Sequence, residues 1–185
     1  EDVDGGIEIT GSHNPANYNG FKMVLQGRPF FGADIQKLGA MAAAGDWVSG
    51  TATSEHLDIL DQYVARVAQA APEKAFRIGW DAGNGAAGPA IEKLVKMLPG
   101  EHHLLFVDVD GQFPNHHPDP TDPKNLVDLQ RLVAEKKLDF GVAFDGDGDR
   151  IGAIDGEGRI IWGDQLMQIY AEAVLGDLPG ATIID

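Results

Sequence analysis

Residues 144–150 read Phe-Asp-Gly-Asp-Gly-Asp-Arg, so Asp145, Asp147 and Asp149 stand at alternate positions with only glycine between them and Arg150 directly after. Three like charges this close repel unless something cancels them. The intervening glycines let the backbone fold tightly enough for the carboxylates to face one point. A hard divalent cation with oxygen ligands meets that need, and Mg²⁺ suits a site of few carboxylates plus a phosphate. The alternative is a solvated acidic turn, since Asp and Gly are common turn residues. A calcium-binding EF-hand is excluded. Its loop needs glycine at the sixth position and glutamate at the twelfth, and counting from Asp145 those positions hold Arg150 and Gly156.

A second stretch able to do chemistry is Gly11-Ser12-His13-Asn14-Pro15. Glycine and Asn-Pro force a sharp turn, which exposes the Ser12 hydroxyl. A strand-like run at residues 6–10 precedes it, and a second run at 21–25 follows the turn at 18–20. As neighbouring strands, the two runs bring Lys22 back near Ser12. Ser12, His13 and Lys22 then supply a nucleophile or phosphate carrier with two proton carriers or phosphate contacts. The plain alternatives are a hydrogen-bonding loop histidine and a solvated strand lysine. A third stretch, residues 81–88, contains G-x-G-x-x-G at Gly83, Gly85 and Gly88, with Asp108 and Asp110 about 20 residues on. This is the spacing of a dinucleotide-binding turn. The adjacent His116 and His117 are poor joint ligands for one metal and read as loop hydrogen-bonders.

The elements that position these loops follow from periodicity. Helices are predicted over 33–44 (Ile35, Leu38, Ala42), from near Leu57 to Pro72 (Leu57, Leu60, Val64, Val67) and after Gly88 (Ile91, Leu94, Val95, Leu98). Further helices start at Asp122-Pro123, an acidic cap with proline in the first turn, and at Gly163-Asp164, with Leu166, Tyr170 and Val174 inward. Strands are predicted over 76–80, 104–109, 140–144, 151–154 and 159–162. Residues 45–54 are polar and glycine-containing, and read as a linker. The β-α-β-α-β-β order from Phe76 onward points to an α/β domain, a three-layer α/β/α arrangement with a mixed sheet.

The chain has 14 Lys and Arg against 29 Asp and Glu, for a net charge of −15. That argues against nucleic acid or an anionic membrane as partner. It fits a protein that gathers its few cations at a site for a small anionic ligand. There is no cysteine, which removes disulfide and thiol chemistry. No apolar run reaches membrane-spanning length.

Three of these stretches together resemble the α-D-phosphohexomutase family, in particular its phosphomannomutase/phosphoglucomutase group. They are residues 10–15 with Asn19-Gly20-Phe21-Lys22, residues 81–88, and residues 145–150; Pro114-Asn115-His116-His117-Pro118-Asp119-Pro120 is also characteristic. The resemblance implies that Ser12 carries a phosphate. It implies that Asp145, Asp147 and Asp149 bind Mg²⁺, with an oxygen of phosphorylated Ser12 as a further ligand. Arg150 and Lys22 become active-site cations, Lys22 a candidate general acid or base, and His13 a contact to the transferring phosphate. The implied reaction interconverts hexose 6-phosphate and hexose 1-phosphate of mannose or glucose. It passes through glucose 1,6-bisphosphate or mannose 1,6-bisphosphate, in the cytoplasm.

The resemblance also implies phosphoglucomutase-like domains: the end of a first domain (1–55), a second (56–160) and the start of a third (161–185). A chain so divided is expected to have little mutase activity alone. Two other functions stay open on the residues themselves. One is an NAD-dependent oxidoreductase using the turn at 83–88, and the other is a non-catalytic metal- or phosphate-binding module.

Overall fold

The computed structural model describes residues 3–184. Its first sheet is antiparallel, with β1 (Gly5–Ile9), β2 (Phe21–Leu25) and β3 (Arg28–Pro29) side by side. β1 and β2 pair with Glu8 opposite Lys22 and Ile9 opposite Phe21, the neighbouring strands that the two short runs predict. Helix α1 (Ala33–Ala44) follows, and Gly45 ends it in a left-handed conformation at φ 69°. Residues 46–59 form no regular element.

The second sheet has the order β5-β4-β6-β7-β8. Its strands are β4 (Phe76–Asp81), β5 (Gly100–Leu105), β6 (Phe140–Phe144), β7 (Ile151–Asp155) and β8 (Ile160–Ile161). β4 runs parallel to both β5 and β6, and β7 and β8 are antiparallel additions, so the sheet is mixed. Alternation divides its faces. Trp80 and Phe144 stack on one face, 6.4 Å apart and 6° from parallel, beneath α2 (Leu60–Ala68) and α3 (Gly88–Leu94). On the other face Gly79 pairs with Gly141. A Cβ on either glycine would lie 2.9 Å from Leu129 Cδ1, so the pair admits α4 (Val127–Lys136) against the sheet. Leu126, Leu129, Ala143 and Ile154 form the core there. Each fully buried leucine contributes about 1.5–3 kcal/mol. The fold is the three-layer α/β/α arrangement that the element order predicts.

Several boundaries differ from prediction. α2 begins at Leu60 rather than near Leu57; Asp58 Oδ1 accepts the Leu60 N–H at 3.0 Å just before the helix, a local turn that holds residues 57–59 outside it. α3 stops at Leu94 rather than Leu98. Asp122 caps as expected, accepting the Lys124 N–H at 3.1 Å, but it opens a 3-10 turn over Pro123–Leu126 before α4. The largest shift is β5, which occupies Gly100–Leu105 instead of 104–109. Helix α5 (Gly163–Asp177) forms where expected, yet Tyr170 and Val174 are 48% and 41% exposed rather than inward. Among the described residues no helix is long and apolar enough to cross a membrane.

Candidate functional site

The parallel strands β4 and β6 end side by side, and open α/β sheets bind ligands outside such carboxyl ends. The three aspartates form the turn from β6 into β7. Asp145 Oδ1 accepts the Arg150 N–H at 3.0 Å and the Asp145 carbonyl accepts the Gly148 N–H at 3.1 Å, which closes the turn. One oxygen from each of Asp145, Asp147 and Asp149 lies within 4.8 Å of the others. Asp145 is 0% exposed. Burial raises its pKa, the Arg150 N–H opposes that, and the neighbouring Asp147 and Asp149 charges add to the rise.

The serine loop reaches this turn from the first sheet. Ser12 stands at φ 51°, a left-handed conformation uncommon outside glycine. Its Oγ lies 3.4 Å from Asp145 Oδ2 and 3.2 Å from His13 Nδ1. The approach is so close that a Cβ on Gly146 would sit 2.2 Å from the Ser12 carbonyl oxygen. Lys22, on β2, donates to Asp147 Oδ2 at 3.2 Å and to Asp149 Oδ2 at 3.0 Å. The bonds to Asp149 and then Asp147 hold its ammonium well above the ordinary lysine pKa. Arg150 Nε is 3.9 Å from both Asp145 Oδ2 and Asp149 Oδ1. The structure therefore brings together the seven residues that the resemblance assigns to the site: Ser12, His13, Lys22, Asp145, Asp147, Asp149 and Arg150.

Asp147 joins the two loops. Burial pushes its pKa up, but hydrogen bonds from Thr10 and Lys22 outweigh that and hold it below the usual carboxylate value. Thr10 Oγ1 donates to Asp147 Oδ2 at 2.7 Å. Sequence reasoning quoted Thr10 as part of a motif and gave it no role. The available signal was its place two residues before Ser12, at the end of a strand.

The glycine turn is occupied by the protein itself. Ala86 N–H donates to the Gly146 carbonyl at 3.0 Å. A Cβ on Gly85 would lie 2.8 Å from that same oxygen and 3.1 Å from the Asp145 carbonyl. The space that a dinucleotide pyrophosphate would need is filled by the aspartate turn, so the oxidoreductase alternative loses its binding site. His116 is a hydrogen-bonder, as expected. Its Nε2 meets Asp81 Oδ2 at 2.9 Å and its Nδ1 meets the His117 carbonyl at 3.0 Å. Asp81 Oδ1 accepts the Gly83 N–H at 2.9 Å, so the buried Asp81, held by the half-buried His116, ties down the glycine turn. A cavity of about 930 Å³ between α2, α3 and the sheet is lined by Tyr63, Trp80, Ile91, Leu94 and Phe144, and reaches Asp147 at its edge. That apolar lining does not suit a sugar phosphate.

The family described as phosphoglucomutase/phosphomannomutase, alpha/beta/alpha domain II, matches residues 55–158, and its domain I matches residues 1–49. The chain belongs to the phosphoglucomutase/phosphomannomutase family. A phosphomannomutase/phosphoglucomutase of Pseudomonas putida is 43% identical over 180 residues, covering 97% of this chain and 39% of that protein. A phosphoglucomutase of Neisseria meningitidis serogroup A is 44% identical over 184 residues, covering 97% of this chain and 40% of that protein. A crystal structure of a phosphoglucomutase/phosphomannomutase family protein from Burkholderia thailandensis superposes with a TM-score of 0.92 at 44% identity, over 98% of this chain and 40% of that one. The chain thus spans about two fifths of the length of these family members.

The residues of the turn fit the hard cation that the family implies. All three donors are carboxylates with an oxygen each in mutual reach. Asp147 Oδ1 is buried and has no hydrogen-bond partner, an orphan acceptor in a turn whose other two carboxylates lie close by. Left so, it would cost about 1–3 kcal/mol of desolvation, which a cation removes.

Proposed function

We propose that this chain carries the phosphoserine and metal loops of a phosphohexomutase that interconverts the 6-phosphate and 1-phosphate of mannose or glucose. The observation that carries this is the meeting of Ser12 Oγ with Asp145 Oδ2 at 3.4 Å, across 133 residues of sequence. A solvated acidic turn has no reason to draw in a distant serine. In this scheme Asp145, Asp147 and Asp149 hold Mg²⁺ together with an oxygen of phosphorylated Ser12. When bound, Mg²⁺ supplies charge neutralisation at the phosphoryl oxygens.

The chain's own residues do the rest. Phosphoryl transfer needs mainly positioning and charge balance. In the first half, the Ser12 Oγ–P bond breaks as a sugar hydroxyl oxygen bonds to phosphorus; the hydroxyl proton passes to a base and Ser12 Oγ takes up a proton as it leaves. The sugar 1,6-bisphosphate then turns over. In the second half its other phosphate passes to Ser12 Oγ, the serine proton going to the departing sugar oxygen. His13 Nδ1 is placed to share the Ser12 proton and to touch the phosphate. Lys22 and Arg150 balance the charge on the transferring oxygens. Lys22, held as an ammonium by Asp149 and Asp147, suits an acid better than a base.

We assign glucose 1,6-bisphosphate or mannose 1,6-bisphosphate as activator, and residues 1–55, 56–160 and 161–185 as parts of three successive domains. A phosphorylated sugar does not cross a membrane unaided, which favours a cytoplasmic location. The test uses a protein of the relatives' length carrying this chain. Mannose 1-phosphate, glucose 1-phosphate and glucosamine 1-phosphate are assayed in parallel, and bound phosphate is mapped by peptide mass spectrometry. Phosphate on Ser12, with turnover lost in Ser12→Ala and the fold kept, is expected. Phosphate on Ser49 or Ser54 with full activity in Ser12→Ala overturns the proposal.

A further inference from the structure

One hydroxyl ties the two loops together. Thr10 Oγ1 accepts the backbone N–H of Ser12 at 2.8 Å and donates to Asp147 Oδ2 at 2.7 Å. A threonine hydroxyl has one proton, and with a lone pair engaged by Ser12 that proton points at the carboxylate. The two bonds have separate consequences. The first fastens the Ser12 backbone, whose φ of 51° an unrestrained serine seldom adopts. The second engages Asp147 Oδ2, which Lys22 also engages at 3.2 Å. With Oδ2 so held, the other oxygen, Oδ1, is buried and left without any hydrogen-bond partner. The residue sits at the end of β1, half-buried, where a strand rather than a loose loop fixes its position.

We propose that Thr10 is a positioning residue that sets the Ser12 turn and the Asp147 carboxylate in one register, reserving Asp147 Oδ1 for the cation. This rests on the metal and phosphoserine assignment above. Groups that orient a metal ligand from behind change metal affinity by about 10–100-fold when removed. Thr10→Val keeps the shape and removes both hydrogen bonds, whereas Thr10→Ser keeps the hydroxyl.

The experiment compares wild type, Thr10→Val, Thr10→Ala and Thr10→Ser of the 185-residue chain. Mn²⁺ affinity is read by electron paramagnetic resonance and Mg²⁺ affinity by calorimetry. Without metal, exchange of the Ser12 amide is followed by NMR. The expected result is affinity about 10-fold weaker in Thr10→Val and Thr10→Ala, restored in Thr10→Ser, with the Ser12 amide protected only where the hydroxyl is present. In an Asp147→Asn background, Thr10→Val should cause little further loss, which a general loosening of the fold would not reproduce. Equal affinity and equal Ser12 protection in wild type and Thr10→Val overturn the Thr10 role and leave the metal site standing. No Mn²⁺ or Mg²⁺ binding by wild type, with Ser12 protection still hydroxyl-dependent, overturns the metal assignment and confines Thr10 to the serine turn.

Discussion

Asp147 and Asp145 sit two residues apart in one turn, yet their charges are met differently. Asp145 is fully buried beside like charges and its pKa rises, whereas Asp147 is drawn below the usual value by Thr10 and Lys22 despite burial. Asp147→Asn should weaken Mg²⁺ binding at least as much as loss of an outer partner, about 10–100-fold. Titration calorimetry showing unchanged affinity would remove Asp147 from the ligand set. His116 gives a second residue-scale expectation. Burial works against its charged form, but the Asp81 carboxylate and the His117 carbonyl outweigh that and raise its pKa above the ordinary 6.5. A raised folded pKa stabilises the fold fully below the unfolded value, and that part is lost as pH rises through the folded value. Thermal denaturation from about pH 6 to about pH 9 should therefore show a fall in stability for wild type that His116→Gln lacks. Parallel profiles for the two proteins would show that the His116–Asp81 pair carries no proton-linked stability.

The elements hold these residues through packing that the sequence displays unevenly. Leu129 is fully buried and fills the space left by the Gly79–Gly141 pair. Leu129→Ala should cost about 2–5 kcal/mol, read by urea denaturation; a loss near zero would mean that α4 does not close on the sheet there. The stripe of α4, its Asp122 start, the hairpin of β1 and β2, and the strands around the aspartate turn were all legible, because each shows its period or cap locally. β5 was not. Its sequence, Gly-Glu-His-His-Leu-Leu, lacks a strand-like alternation, and its place is set by parallel pairing with β4, Phe76 opposite Gly100 and Asp81 opposite Leu105. The more apolar run after it leaves the sheet: Phe106 turns at φ 53° and its carbonyl accepts the Asn84 N–H at 2.8 Å. The role of Thr10 was equally hidden, since its partner lies 137 residues away. Spacing in the sequence named the chemistry, and only the fold could supply the register between loops.

For the whole molecule, the expectation concerns what the 185-residue chain does alone. A bisphosphate intermediate needs its second phosphate held while the first reacts, and such positioning can supply ~7–11 kcal/mol. Lys22 and Arg150 serve the aspartate turn, while Arg77 and Arg159 are engaged with Asp139 and Asp155. Lys93 and Lys124 are likewise engaged, with Asp61 and Asp122, which leaves these cations committed to carboxylates rather than to a distal phosphate. In a coupled glucose 6-phosphate assay with glucose 1,6-bisphosphate and Mg²⁺, the chain should show little turnover beside a relative-length protein. Comparable rates would place the distal phosphate site within these residues. The 133-residue separation of Ser12 from Asp145 has a consequence for synthesis. At ~5–20 residues per second, roughly 7–27 s pass between the making of Ser12 and the making of Asp145. Until the later strand emerges and folds, the serine has no carboxylate to face. Any chemistry at Ser12 that depends on the aspartate turn therefore has to wait until residues of the following domain have been made and folded.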